Sequence, residues 1–279
     1  MGGLGIDAGV QGPPGLYVLD RVLGFDASKV RDRSGATLPI QGLDIRARAN
    51  GLGLAYTFAP RSWPYLTMAA SAPLAHVSVN SDEPFASVDR WGFGDLFVQP
   101  IEAGWSRPRY NAVLGYDFFA PTGKFEPKRG VGVGRGYWTH QFSLGGAFFS
   151  DTLRTIRASA LMSYDLNAKM RGIDITRGNM LSVQGGAGVT ARRIWVVGVA
   201  GYALWQVSDD RGSNLPPVLA GARTRTYGLG PEVDVVIPTI GLRAEVRYEW
   251  DLGTRARPQG QVFAVGLGYR AWAPVKPSR

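Results

Sequence analysis

The sequence predicts an all-β protein, a transmembrane antiparallel β-barrel of about twelve strands with short periplasmic turns and long extracellular loops. One segment, residues 241–251, shows the underlying pattern, in which apolar and charged side chains alternate. Because successive side chains of a strand point to opposite faces, this segment has one apolar and one charged face. Similar alternation recurs along the chain, and the connections between such segments are alternately short and long. In a membrane barrel the apolar faces meet lipid and the polar faces line a wet lumen.

Composition argues against several other classes. The chain has 279 residues, a hydrophobic content of 45% and a net charge of +9, and it contains no cysteine. Without cysteine, neither a disulfide framework nor a thiolate metal site can form. No apolar run approaches the roughly 20 residues that a membrane helix needs. The positive charge comes mainly from arginines within alternating segments or short turns, which argues against nucleic-acid binding.

The first two strands follow a Gly- and Pro-rich stretch, residues 1–14, which we expect to be an extended periplasmic lead-in. Strand one is expected over residues 15–26, and strand two over residues 43–58. In strand two the apolar positions change parity at residues 50–51. A one-residue phase shift of this kind predicts a β-bulge there, with the charged residues of the first half of the strand turned toward the lumen.

Ten further strands are predicted from the same alternation, and short turns follow strands two, four, six, eight and ten. Strand five, for example, places Tyr110 and Leu114 on one face and Asn111 and Asp117 on the other. Strands three to twelve are expected over residues 65–79, 91–105, 110–118, 139–149, 156–165, 181–189, 195–207, 227–235, 242–250 and 263–269. The long connections are expected over residues 27–42, 80–90, 120–138, 166–179, 208–222 and 252–260. Soluble sandwiches and propellers have no reason to sort their loops by parity in this way.

The polar faces of the predicted strands define the lumen. A charged side chain on the lipid face costs about 2 to 4 kcal/mol at mid-depth, so the charged positions are assigned inward. Their mixed signs predict ion pairs that brace the barrel or, alternatively, contact a solute. The side chains assigned to the lumen or its constriction are Asp44, Arg46, Arg48, Asp117, Arg157, Asp165, Tyr202, Gln206, Glu232, Asp234, Arg243, Glu245, Arg247 and Glu249. Four aromatic side chains are assigned to substrate contact at the external mouth: Phe119, Phe125, Tyr137 and Trp138.

Several short segments resemble, in the same order, a family of proteobacterial outer-membrane proteins named after the meta-cleavage pathway of phenol degradation. The matching segments are Pro-Pro-Gly-Leu-Tyr-Val-Leu at 13–19, Gly-Asp-Leu-Phe-Val-Gln-Pro at 94–100, Ala-Pro-Thr-Gly at 120–123, Gly-Arg-Gly-Tyr-Trp at 134–138 and Arg-Pro-Gln-Gly at 257–260, with Trp105, Tyr164, Asp165, Gly201, Tyr202, Gln206, Asp209, Asp210, Gly230 and Pro231. The resemblance implies an outer-membrane barrel that admits hydrophobic or aromatic compounds. The chain departs from the usual pattern of such barrels, which commonly finish on an aromatic residue, because residues 273–279 follow Trp272.

The resulting prediction is a single barrel over residues 15–272, with a short tail over residues 273–279, that takes up small hydrophobic or aromatic compounds and uses no cofactor. We expect it in the bacterial outer membrane with a signal peptide already removed, because the first residues have no basic and no apolar region. Its expected partners are outer-membrane lipid, lipopolysaccharide, the solute and the barrel assembly machinery, and a monomer is favoured. A structural or adhesive barrel without transport is one alternative.

A barrel hydrolase acting on lipid is a second alternative, although we expect no enzyme. The histidines are His76 and His140. Ser143 lies three positions after His140, so the two side chains would face opposite sides of a strand, and a Ser-His pair would need a partner from another strand. The sequence has no Gly-x-Ser-x-Gly motif. Two acidic pairs, at residues 82–83 and 209–210, are either Ca²⁺ ligands at the outer rim or solvated loop charges.

Overall fold

The computed structural model describes residues 5–60, 64–82, 87–127 and 131–274, and these residues form a closed antiparallel β-barrel, which confirms the predicted fold class. The strands are β1 (Gly15–Arg31), β2 (Asp44–Phe58), β3 (Tyr65–Asn80), β4 (Val88–Phe93), β5 (Leu96–Ser106), β6 (Tyr110–Ala120), β7 (Phe125–Glu126), β8 (Val131–Gly132), β9 (Thr139–Phe149), β10 (Ile156–Asn167), β11 (Met180–Ala191), β12 (Trp195–Gln206), β13 (Arg225–Ile237), β14 (Leu242–Arg255) and β15 (Arg257–Trp272). The described residues also include a 3₁₀ helix, Pro217–Leu219. Within the described part of the chain, no helix is long and apolar enough to cross a membrane.

The wall of the barrel has twelve strand positions, as predicted, because β4 and β5 together occupy one of them. We call each of these positions a stave. β3 pairs with β4 through residues 74–79 and with β5 through residues 65–71, so β4 and β5 are two parts of one interrupted strand. Each stave pairs with its neighbours along the chain, and β1 pairs with β15 to close the barrel. The β7–β8 hairpin forms a separate small sheet within the connection from β6 to β9.

Short and long connections lie at opposite ends of the barrel. The turn end holds the connections 59–64, 107–109, 150–155, 192–194 and 238–241, together with Gly15 and Trp272. The loop end holds the connections 32–43, 81–87, 121–138, 168–179 and 207–224. The prediction of a further long loop over residues 252–260 is wrong, because Ala256 alone separates β14 from β15. The β14 and β15 strands do not pair with each other beyond Trp250. There β14 pairs with β13, and the first residues of β15 pair with β1.

Alternate side chains of each stave form an apolar outer surface and a mixed inner surface. On β6, Leu114 is 54% exposed on the outside, whereas the adjacent Val113 is 1% exposed on the inside. Aromatic side chains cover part of the outer surface near the loop end, where Tyr116 packs against Phe142. An exposed apolar and aromatic surface of this kind fits contact with lipid.

The predicted bulge in β2 does not form. β2 pairs with both neighbours without a register shift, so no parity change occurs at residues 50–51. Ala49 lines the lumen, and the strand alternation therefore places Asp44, Arg46 and Arg48 on the outer face, near the loop end. The assignment of these three side chains to the lumen is wrong. Arg46 instead forms an ion pair with Asp44 at 2.8 Å.

Residues 5–12 lie inside the barrel near its turn end, and do not form the extended lead-in that the sequence predicted; residues 1–4 lie outside the described part. Ile6 packs against inner-face residues of β12, and Ala8 packs against inner-face residues of β6 and β10. Both side chains are fully buried, and the removal of their apolar surface from water stabilises the segment inside the lumen. Gly9 has φ +75°, and a β-carbon there would lie 2.5 Å from the backbone nitrogen of Gly146. Glycine therefore allows the segment to turn against the wall.

Candidate functional site

A cavity of about 1140 Å³ occupies the lumen between the N-terminal segment and the loop end. Its floor is formed by residues 5–12, which we call the floor segment, and its upper wall includes Arg135 and Tyr137 of the connection 121–138. Polar side chains such as Gln141 and apolar side chains such as Phe97 line the wall between them. Ligand pockets usually measure about 300 to 1,000 Å³, so this space is large enough for a small molecule.

Ion pairs and hydrogen bonds hold the floor segment in place. The Asp7 carboxylate lies 3.0 Å from Arg157 of β10 and 3.0 Å from Arg243 of β14. The Ile6 amide donates a hydrogen bond to Glu232 of β13 at 2.9 Å, and the Ile6 carbonyl accepts one from a β10 serine at 2.5 Å. Gln11 also donates hydrogen bonds to Thr67 of β3 at 2.9 Å and to the Glu102 carbonyl of β5 at 3.2 Å. The segment is thus bound to five staves, and it lies across the lumen near the turn end.

A belt of ion pairs on β1, β13 and β14, largely buried, lies beside the floor segment on one side of the barrel. It consists of the pairs Arg21–Glu245, Arg243–Asp234, Arg243–Glu245, Arg247–Glu232 and Arg247–Glu249, at N···O distances of 2.7, 3.1, 3.6, 3.3 and 3.2 Å. Buried charges are costly unless they are paired, and each acid of this belt has an arginine partner. The carboxylates of Glu232, Asp234 and Glu245 lie within 4.8 Å of one another, and each lies beside an arginine, although the Oδ1 atom of Asp234 has no hydrogen-bond partner among the described residues. The belt therefore braces the barrel.

Asp95, at the interruption between β4 and β5, folds the connection 121–138 toward the lumen. Its side chain is buried, and its two carboxylate oxygens accept backbone hydrogen bonds from Gly123 at 3.0 Å and from Arg135 at 2.7 Å. Hydrogen bonds to a carboxylate are stronger than neutral ones, so one side chain fixes both ends of the connection. Three of the segments that carry the family resemblance meet at this carboxylate. We call this arrangement the Asp95 clamp.

An aromatic wall lies next to the Asp95 clamp. The rings of Phe97 and Phe119 have their centres 5.2 Å apart, and the Arg135 guanidinium lies 4.3 Å from the centre of the Phe119 ring. Tyr137 lines the same cavity. Phe125 lines a separate pocket of about 280 Å³ beneath the β7–β8 hairpin. Of the four aromatic residues assigned to the mouth, Phe119 and Tyr137 therefore lie at the main cavity and Phe125 lies beside it.

The assignment of Trp138 to the mouth is wrong, because its ring lies on the outer surface. It is 46% exposed, and its ring centre is 5.7 Å from that of Phe118 and 6.4 Å from that of His140. The even-numbered positions of β9 face outward, and Trp138 continues their face. His140 shares this surface and forms a hydrogen bond with Tyr116 at 2.8 Å. Ser143 is buried on the inner face, so it does not pair with His140.

Apart from Asp44, Arg46 and Arg48, the side chains assigned to the lumen lie on the inner face. They are Asp117, Arg157, Asp165, Tyr202, Gln206, Glu232, Asp234, Arg243, Glu245, Arg247 and Glu249. Sequence reasoning missed Asp7, Asp95 and Glu102. Asp95 lies in a segment of the family resemblance, which could have identified it, whereas Asp7 lies in a stretch without alternation. Glu102 follows a register shift in β5, which hides its face from the sequence pattern.

Tyr202 and Gln206 tie the inner wall to the loop end. The Tyr202 hydroxyl donates to Asp251 at 2.6 Å, and the other carboxylate oxygen of Asp251 accepts the backbone amide of Gly260 at 2.9 Å. The Gln206 side chain donates to Asp210 at 2.8 Å. These contacts fix loop-end segments onto β12, so both residues support the wall of the cavity.

The acidic pair at residues 209–210 forms ion pairs, and Asp210, unlike a solvated loop charge, is buried. Asp209 lies 2.7 Å from Arg223, and the hydrogen bond from that guanidinium lowers the pKa of the Asp209 carboxyl. Asp210 lies 2.5 Å from Arg177. Of the other acidic pair, Glu83 lies outside the described residues.

Asp174 joins the connections 168–179 and 207–224. Its carboxylate accepts hydrogen bonds from Lys169 at 2.6 Å and from the Ser213 hydroxyl at 2.6 Å. These hydrogen bonds lower the pKa of Asp174. The two loops are therefore held together at the rim by a carboxylate that stays ionised in mild acid.

Sequence comparison identifies a family for this chain. The family model described as "Putative MetA-pathway of phenol degradation" matches residues 27–267. No curated protein sequence matches the chain significantly.

Solved structures share the barrel fold at low sequence identity. An outer membrane channel from Pseudomonas putida F1 has a TM-score of 0.78 and 11% identity, with 93% of this chain and 96% of that chain covered. The translocator domain of the autotransporter NalP from Neisseria meningitidis has a TM-score of 0.53 and 15% identity, with coverages of 95% and 91%. The β domain of the Bordetella autotransporter Brka has a TM-score of 0.51 and 14% identity, with coverages of 92% and 99%.

Proposed function

The chain belongs to this phenol-degradation family, and from that premise we propose that it is an outer-membrane channel for the uptake of small hydrophobic or aromatic compounds. The observation that carries the proposal is the lumenal cavity of about 1140 Å³, in which an aromatic wall lies beside polar groups. Sites for small molecules typically combine a mainly apolar lining with a few polar groups. The similar protein from P. putida is itself described as an outer membrane channel.

In the proposed mechanism, a solute enters at the loop end and is held at the aromatic wall. Phe97, Phe119 and Tyr137 offer ring faces and edges to an aromatic solute. The Asp95 clamp keeps this wall in position by fixing the connection 121–138. In this proposal, movement of the floor segment opens the way into the periplasm, because residues 5–12 lie in the lumen near the turn end.

The outer surface of the barrel supports a proposal for the membrane that surrounds it. Its exposed leucine, valine and aromatic side chains support a position in the outer membrane, with lipid and lipopolysaccharide around the barrel. In this proposal, the assembly machinery of that membrane inserts the barrel. The solute is the remaining partner in the proposal.

Planar-bilayer conductance of the refolded full chain tests the proposal. We expect ohmic current steps that millimolar benzyl alcohol reduces and a sugar does not, because only the aromatic solute binds the wall. Phe119→Ala should weaken this block about 3- to 10-fold, since an aromatic contact contributes about 0.5 to 1.5 kcal/mol beyond its buried area. Phe148→Ala is the matched control, because its ring is 57% exposed on the outer surface. Block that is equal in all three proteins would contradict the proposed site.

A further inference from the structure

Three carboxylates form a row on the inner wall of the cavity. Asp117 on β6 lies opposite Gln141 on β9, which in turn lies opposite Asp165 on β10. Glu102 on β5 lies opposite Gly115, which is two residues before Asp117 and on the same face of β6. All three acids line the cavity. We call Glu102, Asp117 and Asp165 the acidic row.

No arginine or lysine of the described residues forms an ion pair with the acidic row. Glu102 accepts a hydrogen bond from Gln99 at 3.1 Å, and Asp165 accepts one from Gln141 at 2.6 Å. Asp117 is only 4% exposed, yet its Oδ1 atom has no hydrogen-bond partner among the described residues. A buried carboxylate oxygen without a partner is rare because its desolvation is not compensated.

Two arginines that line the same cavity, Arg135 and Arg177, contact other groups. Arg177 lies 2.5 Å from Asp210. The Arg135 guanidinium lies over the Phe119 ring and donates to Thr139 at 3.2 Å. The acidic row therefore has no ion pair among the described residues, in contrast to the belt at the floor, where each acid lies within 3.3 Å of an arginine.

The aromatic wall lies in the same cavity as the acidic row. Phe97 and Phe119 provide ring surface, and Tyr137 borders the same space. A molecule that complements both features has an apolar body and a positively charged head, because a cation satisfies the carboxylates and is also attracted by aromatic faces. We infer that the cavity selects amphiphiles with a protonated amine, with the acidic row binding the ammonium group and the aromatic wall binding the apolar body. This inference rests on the proposed function and specifies the solute that the channel takes up.

The structure also predicts how Asp117 affects stability. An asparagine has nearly the same shape and carries no charge, so Asp117→Asn removes a buried acidic group that forms no ion pair among the described residues, and leaves the packing intact. The thermal unfolding midpoint of Asp117→Asn should therefore equal or exceed that of the unmodified chain. A carboxylate that served only to hold the barrel together would give the opposite result.

Binding of three matched probes to the full chain in lipid nanodiscs tests the inference. The probes are 4-phenylbutylammonium, 4-phenylbutanol and 4-phenylbutyrate, which share one aromatic body and differ in the charge of the head. Isothermal titration calorimetry against empty nanodiscs corrects for partition into lipid. We expect the ammonium to bind about 10- to 100-fold more tightly than the alcohol, as one charge-assisted hydrogen bond provides, and the carboxylate to bind most weakly.

The variants Asp117→Asn and Asp165→Asn identify the groups responsible. Each should lower the affinity for the ammonium toward that for the alcohol, and leave the affinity for the alcohol unchanged. Asp89→Asn is the control, because Asp89 is an exposed carboxylate of β4 that pairs with His76. Equal affinities of the ammonium and the alcohol would overturn the inference, and so would an unchanged preference of Asp117→Asn for the ammonium over the alcohol. In either case, binding of the alcohol would still support the proposed function. Absence of binding by all three probes would overturn both.

Discussion

Replacing Asp7 with asparagine is expected to loosen the floor segment and to raise the conductance of the barrel. The Asp7 side chain is 8% exposed and lies between Arg157 and Arg243, each 3.0 Å away. Removing one partner of a buried ion pair typically costs about 3 to 5 kcal/mol, because the other charge remains buried. Here Arg243 keeps Asp234, and asparagine keeps an acceptor oxygen, so we expect a smaller loss, about 2 kcal/mol. Such a loss shifts the balance between bound and released segment about 30-fold.

The assay is single-channel recording of three proteins under identical conditions. The unmodified chain should show the smallest conductance or the lowest open probability, and Asp7→Asn should show more frequent open events. Deletion of residues 1–12 should give the largest and steadiest conductance, because it also removes the apolar contacts of Ile6 and Ala8. Full burial of one such side chain contributes about 1.5 to 3 kcal/mol, so Asp7→Asn alone releases the segment only part of the time.

Asp209→Asn is the control, because it removes an exposed loop ion pair with Arg223 and leaves the floor unchanged. Equal currents from the unmodified chain and the deletion variant would refute the view that residues 5–12 obstruct the lumen. A large current from the deletion variant together with an unchanged Asp7→Asn would refute the role of the ion pairs, and would leave the apolar contacts as the main attachment.

Three further predictions concern the clamp, the strand faces and the loops. Asp95→Asn replaces the carboxylate with an amide that has only one acceptor oxygen, so one of the two backbone hydrogen bonds is lost. The local stability of the connection 121–138 should fall by about 1 to 3 kcal/mol, and trypsin should cut this connection faster. Because the chain has no cysteine, single spin labels can report the faces of β2: Leu54→Cys should be accessible to oxygen in lipid, and Ala55→Cys to a water-soluble relaxation agent. The lowered pKa of Asp174 means that its loop contact is fully present above the usual aspartate pKa and is lost only as pH falls through the lowered value. Energy transfer between labels on the two loops should show this late acid transition, and Asp174→Asn should abolish it.

The face of each stave was predictable from the sequence where the strand crosses the apolar part of the membrane. On β14 every outward position is apolar and every inward position is charged up to Asp251, because lipid excludes charge from one side. The rule fails on β2, which has 15 residues, more than the roughly 10 that cross the apolar layer. Near the loop end its outer face leaves this layer, and charged residues are tolerated there. Arg48, for example, pairs with Asp26 of β1 at 2.6 Å on the outer face.

The contents of the lumen were not predictable from the sequence for a different reason. Asp7 lies in a Gly- and Pro-rich stretch without alternation, and its partner Arg157 is 150 residues away along the chain. Local patterns carry no information about such contacts. The Asp95 clamp was predictable in part. The segments of the family resemblance contain its residues, but their meeting at one carboxylate depends on the interruption between β4 and β5, which the sequence pattern does not show.

Charged residues of the inner wall have two different roles, and the structure separates them by their partners. Glu249 and Asp117 both alternate with apolar residues along a strand, so the sequence assigns them alike. Glu249 lies 3.2 Å from Arg247, which also pairs with Glu232. Asp117 lines the cavity and forms no such ion pair among the described residues. In our interpretation the paired acids fix the floor and the unpaired acids meet the solute, so Glu249→Gln should lower stability and Asp117→Asn should lower binding of the ammonium probe. If both substitutions had the same effect on stability and on binding of the ammonium probe, the division of these acids into bracing and binding groups would be wrong.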